Sequence, residues 1–304
     1  MKKFLSLILA AMLLLSVSAF AEESAPLTAS APSGAPALAL AMMAVENPDN
    51  FTFVAAETIS AEFANATADF IVAPLNAGAK LYKMGKSTYK LAGVVSWGNL
   101  FIASQKENFT LEDMNGAVVT LFGENTINAA VVEYALQQNG IVPAEIQYLG
   151  SAANTQSLLL TDANAIVVTA EPALTAAKMK NAAITAYAVN DLYKAATGYE
   201  GYTQAALFVK AETIANQPEA VKAFIEAVAV SCEKASTDVE AVAKAAVDLE
   251  ILPNVKVAVN AIPGCAVRFV SALEAKEQIE ATANIDLSQF GGALPADDFY
   301  YVAE

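Results

Sequence analysis

Ala68-Asp69-Phe70-Ile71-Val72-Ala73-Pro74-Leu75-Asn76 decides the fold class. Phe70 to Ala73 is an unbroken apolar run, which suits a strand covered on both faces. Pro74 then stands where a helix starts, a position that tolerates the missing N–H, and the pattern predicts a helix over 75–84. Further along, Ala165-Ile166-Val167-Val168-Thr169-Ala170-Glu171-Pro172 repeats the arrangement of buried strand, proline and helix. Two equivalent strand–helix halves are the economical reading.

Outward from these two anchors the chain alternates short apolar runs with longer helical patterns, the mark of an α/β fold. Strands are predicted over 25–31, 51–55, 89–96, 100–104, 117–122, 146–149 and 205–210. Helices are predicted over 37–45, 127–139 and 153–160. Gly140 suits the end of the second of these, with Pro143 just beyond. Beyond 210 the chain reads as all helical, over 217–235, 237–249 and 271–283, before a turn-rich end at 290–301.

At the other end, Lys2 and Lys3 precede an apolar run over 4–20, closed by Ala19-Phe20-Ala21 ahead of Glu22. This is the layout of an export signal, residues 1–21, that a peptidase removes. A retained membrane anchor is the alternative, although the run is at the short limit for a span. No cysteine follows the run, so the expectation is a soluble exported protein, periplasmic or extracellular, without a lipid anchor.

The chain carries 17 Lys+Arg against 32 Asp+Glu, a formal net charge of −15. Removing the leader would delete two lysines and no acid. Nucleic acid is therefore excluded as a partner, because its phosphates need clustered cations. There is no histidine, which removes Ser-His-Asp and Cys-His nucleophiles and imidazole-bound metals. No phosphate-cradling or nucleophile-elbow motif occurs, and no cofactor, metal site or catalytic residue is expected. Cys232 and Cys265 are the two cysteines. Export permits a disulfide between them; two buried thiols acting as apolar filler are the other reading.

The order of the motifs resembles the periplasmic-binding-protein type II fold. It is similar in particular to the group of solute-binding proteins for sulfonates, nitrate and thiamine precursors. The stretches that carry the likeness are Ala31-Pro32-Ser33-Gly34, residues 68–82 and residues 111–126. Thr169-Ala170-Glu171-Pro172, Asn216-Gln217-Pro218-Glu219, Ile262-Pro263 with Cys265, and residues 291–301 complete it. Gly123-Glu124-Asn125-Thr126 departs from the family's glycine-rich turn by placing a carboxylate there, and the first loop has proline and alanine in place of glycines.

The resemblance implies a two-lobed clamshell, each lobe a mixed sheet flanked by helices, with a helical C-terminal part. Residues 22–106 and 206–304 would form one lobe and 107–205 the other, closing about hinges near 104–108 and 203–206. Such a protein is a monomer that hands its solute to a membrane permease and ATPase of an ABC importer, and catalyses nothing. A sensor or scavenger, or a biosynthetic enzyme on the same fold, are the rival readings.

By the family's logic Ser33, Gly34, Asn76, Asn125, Thr126 and Glu171 converge on the solute. For Ser33, Asn125, Thr126 and Glu171, helix capping is the competing role. Glu171 and Glu124 would favour a heteroaromatic or amine-bearing molecule. Trp97 would offer a flat platform or pack the core beside a hinge; Tyr202, with Tyr199, would line the cleft or lie on the surface.

Overall fold

The computed structural model describes residues 25–303, and the leader expected over 1–21 lies outside them. Among the described residues no helix is long and apolar enough to cross a membrane.

The first half of the chain runs through β1 (Ala29–Pro32), β2 (Phe51–Val54), β3 (Phe70–Pro74), α1 (Leu75–Lys83), β4 (Tyr89–Ser96) and β5 (Leu100–Ser104). The middle adds β6 (Val118–Phe122), α2 (Ile127–Gln138), β7 (Glu145–Leu149), α3 (Ala152–Thr161), β8 (Ile166–Ala170), α4 (Ala173–Lys180), β9 (Thr185–Ala188) and α5 (Val189–Thr197). The last third contains β10 (Ala205–Lys210), α6 (Pro218–Thr237), α7 (Val239–Asp248), β11 (Val267–Ser271) and α8 (Lys276–Ala283). The strands form two mixed sheets, ordered β11-β4-β10-β3-β1-β2 and β7-β6-β8-β5-β9. Each sheet heads one lobe of an α/β fold.

β3 is buried as its apolar run requires, with Phe70 through Ala73 fully covered. On one face Phe70 stacks on Phe224 of α6, ring centres 4.0 Å apart. Ile71 and Ala73 point to the other face and join a core shared with the second sheet. Asp69, just before the strand, accepts from the Thr28 amide at 2.9 Å and the Thr213 hydroxyl at 2.7 Å. One carboxylate thus ties β1, β3 and the segment after β10 together.

Three expectations are corrected here. β5, expected with the first lobe, pairs along its whole length with β8 and β9 in the second sheet. The chain therefore leaves the first sheet at Trp97-Gly98-Asn99 and returns along residues 198–204. The amide of Asn190 in α5 holds the outgoing segment, donating to the carbonyls of Trp97 at 2.9 Å and Gly98 at 3.0 Å. The C-terminal third is not all helical either: β11 extends the first sheet by antiparallel pairing with β4. The mutual disulfide is not made. Cys232 and Cys265 are both free and buried, and burial pushes the Cys232 thiol up to about 12 and raises that of Cys265 as well.

Gly78 on α1 permits the helix to lie against β10, because a Cβ there would overlap the Phe208 ring and sit 3.0 Å from Phe63. Overpacking of this kind costs about 1–3 kcal/mol. Gly78→Ala is expected to lower unfolding free energy by that amount in urea titrations of the ligand-free protein.

Candidate functional site

The parallel strands β1, β3, β6 and β8 all end at one cleft of about 470 Å³, and four helices, α1 to α4, begin beside it. Ligand sites gather at strand carboxyl ends in such sheets. The walls come from both halves of the chain. Pro36, Ile59 and Pro74 stand on the side of the first sheet; Phe122, Ile127 and Pro172 stand on the side of the second.

Of the residues expected here, Ser33, Gly34, Asn76, Thr126 and Glu171 do line the cleft. Asn125 does not. Its backbone is left-handed, with φ 58°, and its carbonyl accepts from Gln289 at 3.0 Å. Thr126 caps α2, its hydroxyl oxygen accepting from the Ala129 amide at 3.3 Å while the hydroxyl proton goes to the Gly123 carbonyl at 2.6 Å. The capping role expected as its alternative is thus filled.

Trp97 is 3% exposed and lies outside the cleft. Its indole N–H donates to the Arg268 carbonyl at 2.8 Å, and the Arg268 guanidinium lies over the ring, 4.5 Å from its centre. Tyr202 is also behind the wall, with no exposed surface. Its ring meets Tyr193 edge-on at 5.9 Å. Both aromatics reach the region because the crossover strands place them there, but their rings face the core.

Glu171 is the one ionisable side chain among the described residues that line the cleft. Its oxygens both accept from Thr175: Oε2 from the amide at 3.0 Å and Oε1 from the hydroxyl at 2.9 Å. The carboxyl therefore closes the first turn of α4 and does not wait for a cation. Burial pushes it above the ordinary carboxylate range, against the pull of these bonds and of Lys178. Glu124 is exposed and does not line the cleft. The preference for an amine-bearing solute, argued from these two acids, loses its basis.

Sequence reasoning missed the polar floor. Asn99, Asn128, Gln204 and Gln289 line the cleft, and three of them are joined by hydrogen bonds. Gln204 Nε2 donates to Asn99 Oδ1 at 3.0 Å, and Asn99 Nδ2 donates to the Glu171 carbonyl at 3.2 Å. Isolated amides carry no spacing pattern; only the proximity of Asn99 and Gln204 to the two crossings hinted at them.

Comparison with known proteins places this geometry in context. The family model described as NMT1/THI5 like matches residues 60–241. No curated protein matches the chain by sequence. Among solved structures, the chain is similar to an ABC transporter protein from Parabacteroides distasonis, at 23% identity and a TM-score of 0.78, over 92% of this chain and 99% of that one. It is also similar to the periplasmic aliphatic sulphonate binding protein SsuA from Escherichia coli, at 12% identity and 0.69, over 92% of each chain. A third is the zinc-bound ligand binding component of an ABC-type import system from Staphylococcus aureus, at 11% and 0.67, over 91% of this chain and 96% of that one. At these identities the likeness shows the fold, a two-lobed periplasmic-binding-protein architecture.

Two outcomes follow from the capping roles. Thr126→Ala is expected to cost about 1 kcal/mol of stability in the ligand-free protein, the ordinary value of an N-cap, read by chemical denaturation. For Glu171 the folded carboxyl titrates above its unfolded value, so the folded state binds the proton more tightly. Its contribution is present below the ordinary carboxylate value and lost as pH rises through the raised one. As pH rises from the ordinary carboxylate value through the raised one, wild-type stability should therefore decline relative to Glu171→Gln; parallel stability curves would contradict the raised titration.

Proposed function

The chain belongs to the NMT1/THI5-like family, and on that footing we propose that it is the extracytoplasmic solute-binding component of an ABC importer. It captures a small organic molecule between its lobes and releases it unchanged to a membrane permease and ATPase. The observation that carries the reading is the cleft itself. Its walls are apolar, its floor is built of amides, and it opens where two separately sheeted lobes meet. That is the composition of a small-molecule pocket: a mostly apolar surface with a few placed polar groups.

The chemistry of the lining supports binding over turnover. Its one ionisable side chain is occupied by Thr175, and the chain has no histidine to serve as a base at neutral pH. The structural neighbours, one described as an ABC transporter and one as the ligand binding component of an ABC-type import system, support the coupling to transport. The crossings at 97–99 and 198–204 act as the hinge, since they are the connections between the sheets that flank the cleft. Export through the leader at 1–21 brings the protein to the side of the membrane where solutes are captured.

Thermal-shift measurements on residues 22–304 with a panel of heteroaromatic, carboxylic, sulfonic and amino-acid solutes test the proposal. One chemical class is expected to raise the midpoint in a concentration-dependent way, equivalent to about 2.7 kcal/mol at a hundredfold excess over Kd. Small-angle scattering with that solute should show a more compact particle. Recovery of the solute in altered form would overturn the binding reading.

A further inference from the structure

The hydrogen bonds on the cleft floor can be given a direction, because they are anchored at a group that only accepts. The Glu171 backbone carbonyl has no proton, so Asn99 must present Nδ2 to it, 3.2 Å away. That fixes the Asn99 amide, whose Oδ1 is then an acceptor. Gln204 must meet it with Nε2, at 3.0 Å, which turns Gln204 Oε1 toward the Ser96 hydroxyl, the donor at 3.0 Å. Each amide is held at both ends, and none of these orientations reverses without losing a bond in a half-buried place.

The same polarity passes on to Asn128, at the start of α2. Gln204 Nε2 also lies 3.3 Å from the Tyr202 hydroxyl and 3.4 Å from Asn128 Oδ1. With its oxygen facing Gln204 as acceptor, the Tyr202 hydroxyl gives its proton to Asn128 Oδ1 at 3.2 Å. Burial raises the Tyr202 phenol far above its ordinary value, so the proton is present at every pH the folded protein meets. Asn128 Oδ1 thus accepts the Tyr202 proton, and the second Gln204 Nε2 proton is shared between it and the Tyr202 oxygen; among the described residues Asn128 Nδ2 has no protein partner, and Asn128 lines the cleft.

We infer that Asn128 is a specificity-determining residue: its Nδ2 is locked as a hydrogen-bond donor toward the cleft, so the solute presents an acceptor atom at that point. The inference rests on the solute-binding reading and narrows it. A molecule with a carbonyl or ring nitrogen there is taken; one with only an N–H there is refused, because it would leave two donors facing each other. Discrimination of this kind is large, since a site built to hydrogen-bond one partner leaves buried polar groups unpaired with the wrong one.

The test uses two neutral probes of equal shape class, acetophenone as acceptor and aniline as donor, titrated by ligand-observed NMR into residues 22–304. Wild type is expected to bind acetophenone at least about tenfold more tightly than aniline. Asn128→Asp keeps the oxygen that Tyr202 and Gln204 need and replaces the cleft-facing donor with an acceptor, so the preference should reverse. Tyr202→Phe removes the proton that holds the Asn128 amide, and the preference should narrow without reversing. Melting temperatures of both variants report whether they fold.

Equal binding of the two probes by wild type, or a preference that survives in folded Asn128→Asp, would overturn the inference while leaving the solute-binding reading intact. Binding of neither probe at millimolar concentration would count against the reading itself.

Discussion

Two stretches of chain, Trp97-Gly98-Asn99 and residues 198–204, have to lie against one another where the sheets meet. The space between them admits hydrogen and nothing larger. A Cβ on Gly98, whose φ is 84°, would overlap Tyr202 and the Asn190 side chain, and one on Gly201 would overlap the Trp97 carbonyl. Glycine alone satisfies both the left-handed backbone and the contact. With the strands this close, the Gln204 amide reaches the Ser96 carbonyl at 3.0 Å and the Glu171 amide reaches the Asn99 carbonyl at 3.1 Å. The crossing is therefore hydrogen-bonded to both sheets, and Asn99 and Gln204 on the cleft floor take their positions from it.

The charge of the chain and the chemistry of its cleft are separate matters. A surplus of acids keeps the molecule from collapsing onto its neighbours, whereas the cleft is lined by apolar groups, amides and hydroxyl residues, with Glu171 as its one acid among the described residues. The single arginine of the chain is held over Trp97 behind the crossing. It lies over an aromatic ring and does not line the cleft. Apart from Glu171, the polarity of the cleft comes from amides, the hydroxyl residues Ser33 and Thr126 and helix starts, which bring no full charge into a partly dry space.

The sheets were largely legible from composition because buried strands are written as apolar runs. Residues 100–104 and 205–210 match their predicted bounds, and β3 extends its predicted run by one residue to Pro74. β9 and β11 were missed for a physical reason. Both are short, only partly buried and mixed in composition, so tertiary pairing and not local pattern makes them strands. The cleft was half legible. Ser33, Gly34, Asn76, Thr126 and Glu171 follow strand ends, and strand ends can be found from periodicity. Trp97 and Tyr202 left two readings open because aromatic residues near a crossing have the same sequence signature whether their rings face a solute or the core; for Trp97 the core reading holds. Asn128 and Gln204 acquire their roles only through contacts 76 residues apart in the chain, which no local reading supplies.

The division between floor and walls has an evolutionary consequence. The walls include single apolar side chains such as Phe122, which stands at the end of a strand and makes no side-chain hydrogen bond. A substitution there changes the width or length of the cavity and leaves the backbone alone. The floor is different: Asn99, Gln204 and Asn128 hold one another beside the crossing, so a change to any of them disturbs the crossing as well as the cleft. On the solute-binding reading proposed above, a lineage built on this scaffold exchanges the body of its solute in single steps, while the polar groups that would hold it stay the same.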